Sequence, residues 1–217
     1  GAEFLELYTR MSRSSLEAHL DRLVQEQVLL QLETAFAFSH GMLQQAAYAS
    51  LLKTVRQDCH LEVATTLEKH FPALVESQPE VLAYHYTRGA QLERALECWS
   101  RAGQRALQAS ANQEAIAHFR QALGLLETMP RRYEVELGAL VGLASAHIPL
   151  RGYAAPEVAE NYSRARELCR RMGDGPGLFE VLGGLWVYYL VRAELDQASE
   201  LSGQLLRLAA GTGDDRL

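Results

Sequence analysis

"ERALECWSRAGQRALQASANQEAIAHFRQAL", residues Glu93–Leu123, contains one small pattern twice. Ala95, Trp99 and Ala102 stand four and three apart, and Ala115, Phe119 and Ala122 repeat that spacing 20 residues on. Positions i, i+4 and i+7 share one face of a helix with 3.6 residues per turn. Small residues on either side of an aromatic let a second helix lie close, because backbones approach only where side chains are short. The stretch predicts two helices, Leu92–Ser110 and Gln113–Thr128, joined by such seams.

An alanine, an aromatic and an alanine at this spacing mark the second helix of a tetratricopeptide repeat, which should recur every 34 residues. Recurrence after 20 follows if one long helix serves two repeats. Pro79–Arg88 supplies a first helix, with Leu82 and Ala83 as its large and small pair and Tyr86 as its aromatic. Ala95, Trp99 and Ala102 complete that repeat. For the next one, Trp99, Gly103 and Ala106 take the first-helix positions, so Trp99 belongs to both. On this reading Trp99→Ala should cost roughly 3–5 kcal/mol, as for a large buried aromatic. Further on, Leu185, Trp186, Tyr189 and Ala198 fit a degenerate repeat, and Val158, Tyr162 and Ala165 fit a second-helix signature.

The expected fold is mostly α: a tetratricopeptide-like right-handed α-solenoid, preceded by a partial winged-helix unit with one short β-hairpin. Residues 1–40 form that unit, with a helix at 14–27 capped by Ser14 or Ser15 and a hairpin at 28–40, where "VLLQLE" and "AFAFSH" alternate with period two. Residues 41–78 are connecting helices, and 79–217 are the repeats, truncated at the C-terminal end where "GTGDDRL" stops short of another helix pair. Gly1-Ala2-Glu3-Phe4 reads as a cloning remnant. Prolines 79 and 156 open helices, while Gly89, Gly173 and Pro149 close them.

The bulk numbers agree with a folded helical chain. Of 217 residues 48% are hydrophobic and 22% charged, with 6 prolines. A net charge of −6 opposes general affinity for nucleic acid or anionic membranes. No apolar run nears the ~20 residues of a membrane helix, and the start lacks a signal-peptide pattern. The 3 cysteines, Cys59, Cys98 and Cys169, are odd in number and form no CxxC pair. The expectation is a reduced, cytoplasmic protein.

Three stretches carry a resemblance. "AFAFSHGMLQQAAYASLLKTVRQDCHLEVATTLE" resembles the junction that follows the winged helix in signal-transduction ATPases with numerous domains. "QPEVLAYHYTRGAQLERALECWSRAGQRAL" resembles the first helical repeats behind it. "LRGYAAPEVAENYSRARELCRRMGD" is similar to a segment of bacterial proteins that join a class III adenylate/guanylate cyclase domain to an AAA-type ATPase and a tetratricopeptide tail. The resemblance implies a noncatalytic protein-interaction and regulatory arm of such a protein. The alternative is a fragment of an ATP-dependent DNA-binding transcription regulator. Gly41 departs from the alanine or threonine common after the junction histidine.

Chemistry-bearing motifs are scarce. The sequence has no GxxxxGK[ST] phosphate loop and no Gly-x-Ser-x-Gly elbow. Ser39-His40 and Cys59-His60 are neighbours whose side chains point apart. No catalytic, cofactor or metal residue is therefore assigned: His40, His60, His70 and His85 lack ligand spacing. The helix 14–27 sets Glu17, Asp21 and Glu26 against Arg22 alone, so no nucleic acid is expected. The expected partner is a protein or peptide, or the parent protein's own ATPase or cyclase domains, met through Tyr84, Arg88, Gln104 and Gln108 on the concave face. His40 is expected to pin the strand–helix junction by hydrogen-bonding backbone. Tyr86, Ala95, Trp99, Ala102, Ala115, Phe119, Ala122, Tyr162, Trp186 and Tyr189 are structural.

Overall fold

A computed structural model describes residues 2–33, 35–173, 175 and 177–212. The elements in chain order are α1 (Ala2–Thr9), α2 (Arg13–Gln25), β1 (Leu29–Gln31), β2 (Phe36–Phe38), α3 (Gly41–Ser50), α4 (Lys53–His70) and α5 (Pro72–Ser77). They continue as α6 (Pro79–Arg88), α7 (Leu92–Gln108), α8 (Asn112–Leu126), α9 (Tyr133–Arg151), α10 (Pro156–Arg171), α11 (Leu178–Val191) and α12 (Leu195–Thr212). The chain is mostly helical with one small hairpin, as its composition predicts. It divides into two compact units, residues 1–95 and 96–217, so the boundary falls inside α7.

In the first unit α4 is the hub, packing against α1, α5 and α6. Helix α1 lies where the sequence reading places a cloning remnant, and its Phe4 ring sits 6.1 Å from that of Phe71. Ser12 caps α2, accepting from the Ser15 N–H; the helix starts one residue earlier than expected, so Ser15 supplies the donor instead of the cap. The strands pair antiparallel with Leu29 opposite Phe38 and Gln31 opposite Phe36. The expected joint at Glu33-Thr34-Ala35 includes Thr34, outside the described residues.

In the second unit each helix packs on the next, α8 on α9 and so on to α12. Its larger core joins Leu140, Val158, Tyr162, Val181, Leu182 and Leu185. Trp186 and Tyr189 pack part-buried against it. The smaller core joins Ala106, Ala115, Ile116, Phe119, Leu143 and Ala146. The tail 213–217 lies outside the described residues.

Three helix joints share one design. Ala90, Ser110 and Ala193 each have φ of 57°. The next residue then donates back across the turn: Gln91 N–H to Tyr86 O, Ala111 N–H to Ala106 O, and Glu194 N–H to Tyr189 O, each at 2.9 Å. These six-to-one bonds satisfy carbonyls that a helix end leaves open. Gly89 has φ of −81°, so the left-handed residue expected there is Ala90. Gly89 is needed for closeness instead: a Cβ would meet His85 O at 3.1 Å and Leu61 N at 3.3 Å. Pro149 does not end α9 but sits inside its last turn, and Gly152 closes the helix at φ of 85°. A proline so near the end removes one hydrogen bond that few later residues depend on.

The opening pattern sorts into core and rim. Ala95, Ala102, Ala115, Phe119 and Ala122 are buried, with Phe119 at 2% exposure. Trp99 is only half-buried and stacks on His118, with centroids 5.4 Å apart. The enclosed aromatic is Phe119. A Cβ on Gly103 would come within 2.6 Å of its ring, and one on Gly142 within 2.4 Å. Tyr162 repeats the arrangement against Gly184, where a Cβ would stand 2.3 Å from the ring.

Chemical denaturation checks this ordering. Phe119→Ala should cost roughly 3–5 kcal/mol, and Trp99→Ala only about 1–2 kcal/mol. Gly142→Ala should destabilise by roughly 1–3 kcal/mol through overpacking. Gly138→Ala, one turn earlier in the same helix, should stabilise by up to about 1 kcal/mol, because its Cβ would meet nothing within 4 Å.

Candidate functional site

Helix α9 follows the sequence YEVELGALVGLASA, in which Glu134, Gly138 and Gly142 recur every four residues. Four-residue spacing aligns them along one face. Where that face lacks side chains, the second unit is grooved. The groove holds about 540 Å³, within the range of ligand sites. Its apolar lining is Leu107 from α7, Phe119 from α8, and Leu137 and Val141 from α9. Met172 and Gly177, between α10 and α11, contribute on another side. The polar lining is Gln104, Ser145, Glu134 and Glu180. Glu134 and Glu180 sit in the first turns of α9 and α11, where the helix dipole favours a carboxylate. Neither has an ion-pair partner among the described residues. Burial raises the pKa of the Tyr162 phenol, opposed by the Ser145 side chain and with a smaller upward contribution from the Glu180 charge.

Of the four residues assigned to partner binding, Gln104 lines this groove and Gln108 is exposed outside its lining. Tyr84 and Arg88 belong to the first unit and to a different cluster. There the His60 and His85 Nδ1 atoms are 3.0 Å apart, so one ring donates and the other accepts. The His60 Nε2 is 3.0 Å from the Tyr48 hydroxyl. Tyr84 presents its edge to His60, the Arg88 guanidinium lies 5.6 Å over Tyr84, and that of Arg56 lies 5.1 Å over Tyr48. Burial, and then the His60 charge, lowers the His85 pKa from 6.5 to about 4. Burial and the Arg88 charge lower that of His60. The histidine pair joins residues 25 apart on separate helices, which no local spacing reveals.

His40 does not act as the expected pin. It is exposed, and its imidazole makes no capping bond to α3. Ser39 bonds this junction instead, its hydroxyl donating to Gln27 O and its N–H to Val28 O. Tyr86 is fully buried, its hydroxyl accepting from Arg94 at 2.9 Å. Among the described residues no group of three His, Cys, Asp or Glu is placed to hold a metal, and no helix is long and apolar enough to cross a membrane. Cys59, Cys98 and Cys169 form no disulfide.

No family model matches the chain. A protein of Rhizobium meliloti (strain 1021), described as uncharacterised, is 27% identical over 159 residues, covering 71% of this chain and 16% of that protein. The chain thus spans about a sixth of the curated relative's length. The crystal structure of BtubC (BKLC) from P. vanneervenii aligns with 80% of this chain and 78% of its own at 14% identity and a TM-score of 0.34. That score is too low to carry an argument.

The part-buried histidine pair sets a pH dependence. Its folded pKa values lie below the ordinary 6.5, so between pH 6.5 and about 4 the unfolded chain binds protons first. Stability from this pair is whole above pH 6.5 and declines as pH falls towards 4. Thermal unfolding should show a loss over that window that His85→Gln flattens. An unchanged slope in His85→Gln would remove the pair from the account.

Proposed function

We propose that this chain is a noncatalytic protein-interaction and regulatory arm of a larger signalling ATPase, built as a tetratricopeptide-like right-handed α-solenoid, and that it takes a peptide segment in the groove along α9. The groove is the observation that carries this reading: a concavity with apolar walls and a few polar groups suits a segment of another chain. The three identical helix joints and the sequential packing of α8 to α12 support the repeat architecture. The relative, in which the matching stretch is 16% of the length, supports a place within a longer protein. The upstream ATPase and cyclase domains rest on the resemblance of the three quoted stretches. A cytoplasmic location suits three cysteines that form no disulfide.

The DNA-binding alternative gains nothing from α2. Its Arg13 and Arg22 are engaged by Glu17 at 3.0 Å and Glu26 at 2.9 Å. Such pairing leaves less positive charge for phosphate.

Gly138 provides the test. A leucine there projects into open space and is a better helix former than glycine, so Gly138→Leu fills the groove without disturbing the fold. Panning a displayed octapeptide library against the chain should yield ligands that Gly138→Leu fails to retain, at an unchanged or raised unfolding midpoint. Ligands retained equally by Gly138→Leu, or none, would contradict the reading. Turnover of ATP or GTP by the pure chain would contradict its noncatalytic role.

A further inference from the structure

The charges along the groove say more about its occupant. Among the described lining residues the only charged groups are Glu134 and Glu180. They come from different helices, α9 and α11, and face the same concavity. Elsewhere in the second unit several carboxylates are paired within the fold: Glu167 with Arg170 and Arg171, Glu157 with Arg151, Glu194 with Arg192. Glu134 and Glu180 have no such partner among the described residues. Gly138 lines the same groove, and its missing side chain leaves the backbone of α9 open to a ligand there. Near Glu134 the character changes. An adjoining shallower hollow shares Glu134 and Met172 but adds Arg131 and Arg132. Arg131 is directed at Tyr133, bonded to its hydroxyl at 3.1 Å.

We infer that the groove recognises a peptide segment through one basic side chain, arginine or lysine, seated between Glu134 and Glu180 with apolar neighbours against Leu107, Leu137 and Val141. This rests on the interaction reading above and names the ligand chemistry within it. An isolated basic residue fits better than a polybasic run, because Arg131 repels positive charge at the neighbouring hollow. Apolar flanks supply contact area, and the two carboxylates supply register and discrimination against acidic segments.

The test uses the whole chain and a positional-scanning library of capped octapeptides. Peptides retained by the wild type and lost by Gly138→Leu should show arginine or lysine enriched at one position. Replacing that residue by citrulline, which keeps the shape and removes the charge, should weaken binding about tenfold. Raising NaCl to about 0.5 M should weaken the arginine peptide and leave the citrulline peptide unchanged. The Glu134→Gln/Glu180→Gln double variant should bind both peptides alike. Groove-dependent peptides that tolerate citrulline, or that prefer acidic residues, would overturn this inference and leave the interaction reading standing. Absence of any groove-dependent peptide would remove both. The citrulline comparison requires no change to the protein, so a folding defect in a variant does not blur the outcome.

Discussion

The ring of Phe119 is wedged between two helix backbones, and the second unit is organised around that wedge. Gly103 on α7 and Gly142 on α9 present bare backbone to the ring, with no room for a methyl group on either. A rigid aromatic between two glycines fixes helix separation more tightly than a flexible side chain would, because neither partner has a rotamer to change. The same device recurs at Tyr162 and Gly184. Helices set close in this way leave a shallow trough wherever the glycine stripe runs on past the ring. Gly138 stands in that trough with open space above it.

Packing and recognition therefore use one resource. Gly142 is occupied by the fold and Gly138 is not, although they are one turn apart on the same face. Each glycine in a helix costs about 1 kcal/mol relative to alanine. At Gly142 the ring of Phe119 accounts for it. At Gly138 no described residue does, which leaves that position open to the proposed ligand. The carboxylates of Glu134 and Glu180, which line the same groove without an ion-pair partner among the described residues, extend the same logic to charge.

Much of the helical framework was legible. Prolines 79 and 156 open α6 and α10 as their missing N–H groups allow, and the apolar stripes locate α7 and α8 to within two residues. What escaped was what depends on distance in space. The histidine pair requires the register of α4 on α6. Trp99 carries the right spacing but sits at the rim, because periodicity identifies a face and not how deeply a neighbour covers it. Helix α1 was missed because a short segment has too few turns to show a period. Of the groove, Gln104 was named, while the glycine stripe of α9 was visible in the sequence and unread. Two glycines four apart in an apolar helix were the signal available.

The first unit also exposes apolar side chains, with Met42 at 82% and Leu52 at 73% around α3, and Leu30 and Leu32 on and beside the hairpin. The groove and this face are rival places for a partner to bind, and amide chemical-shift mapping separates them. Titrating a library-selected peptide into the labelled chain should move the amides of Glu134, Gly138, Val141, Ser145 and Glu180 together. Shifts gathered on Leu30, Met42 and Leu52, with α9 silent, would contradict the account.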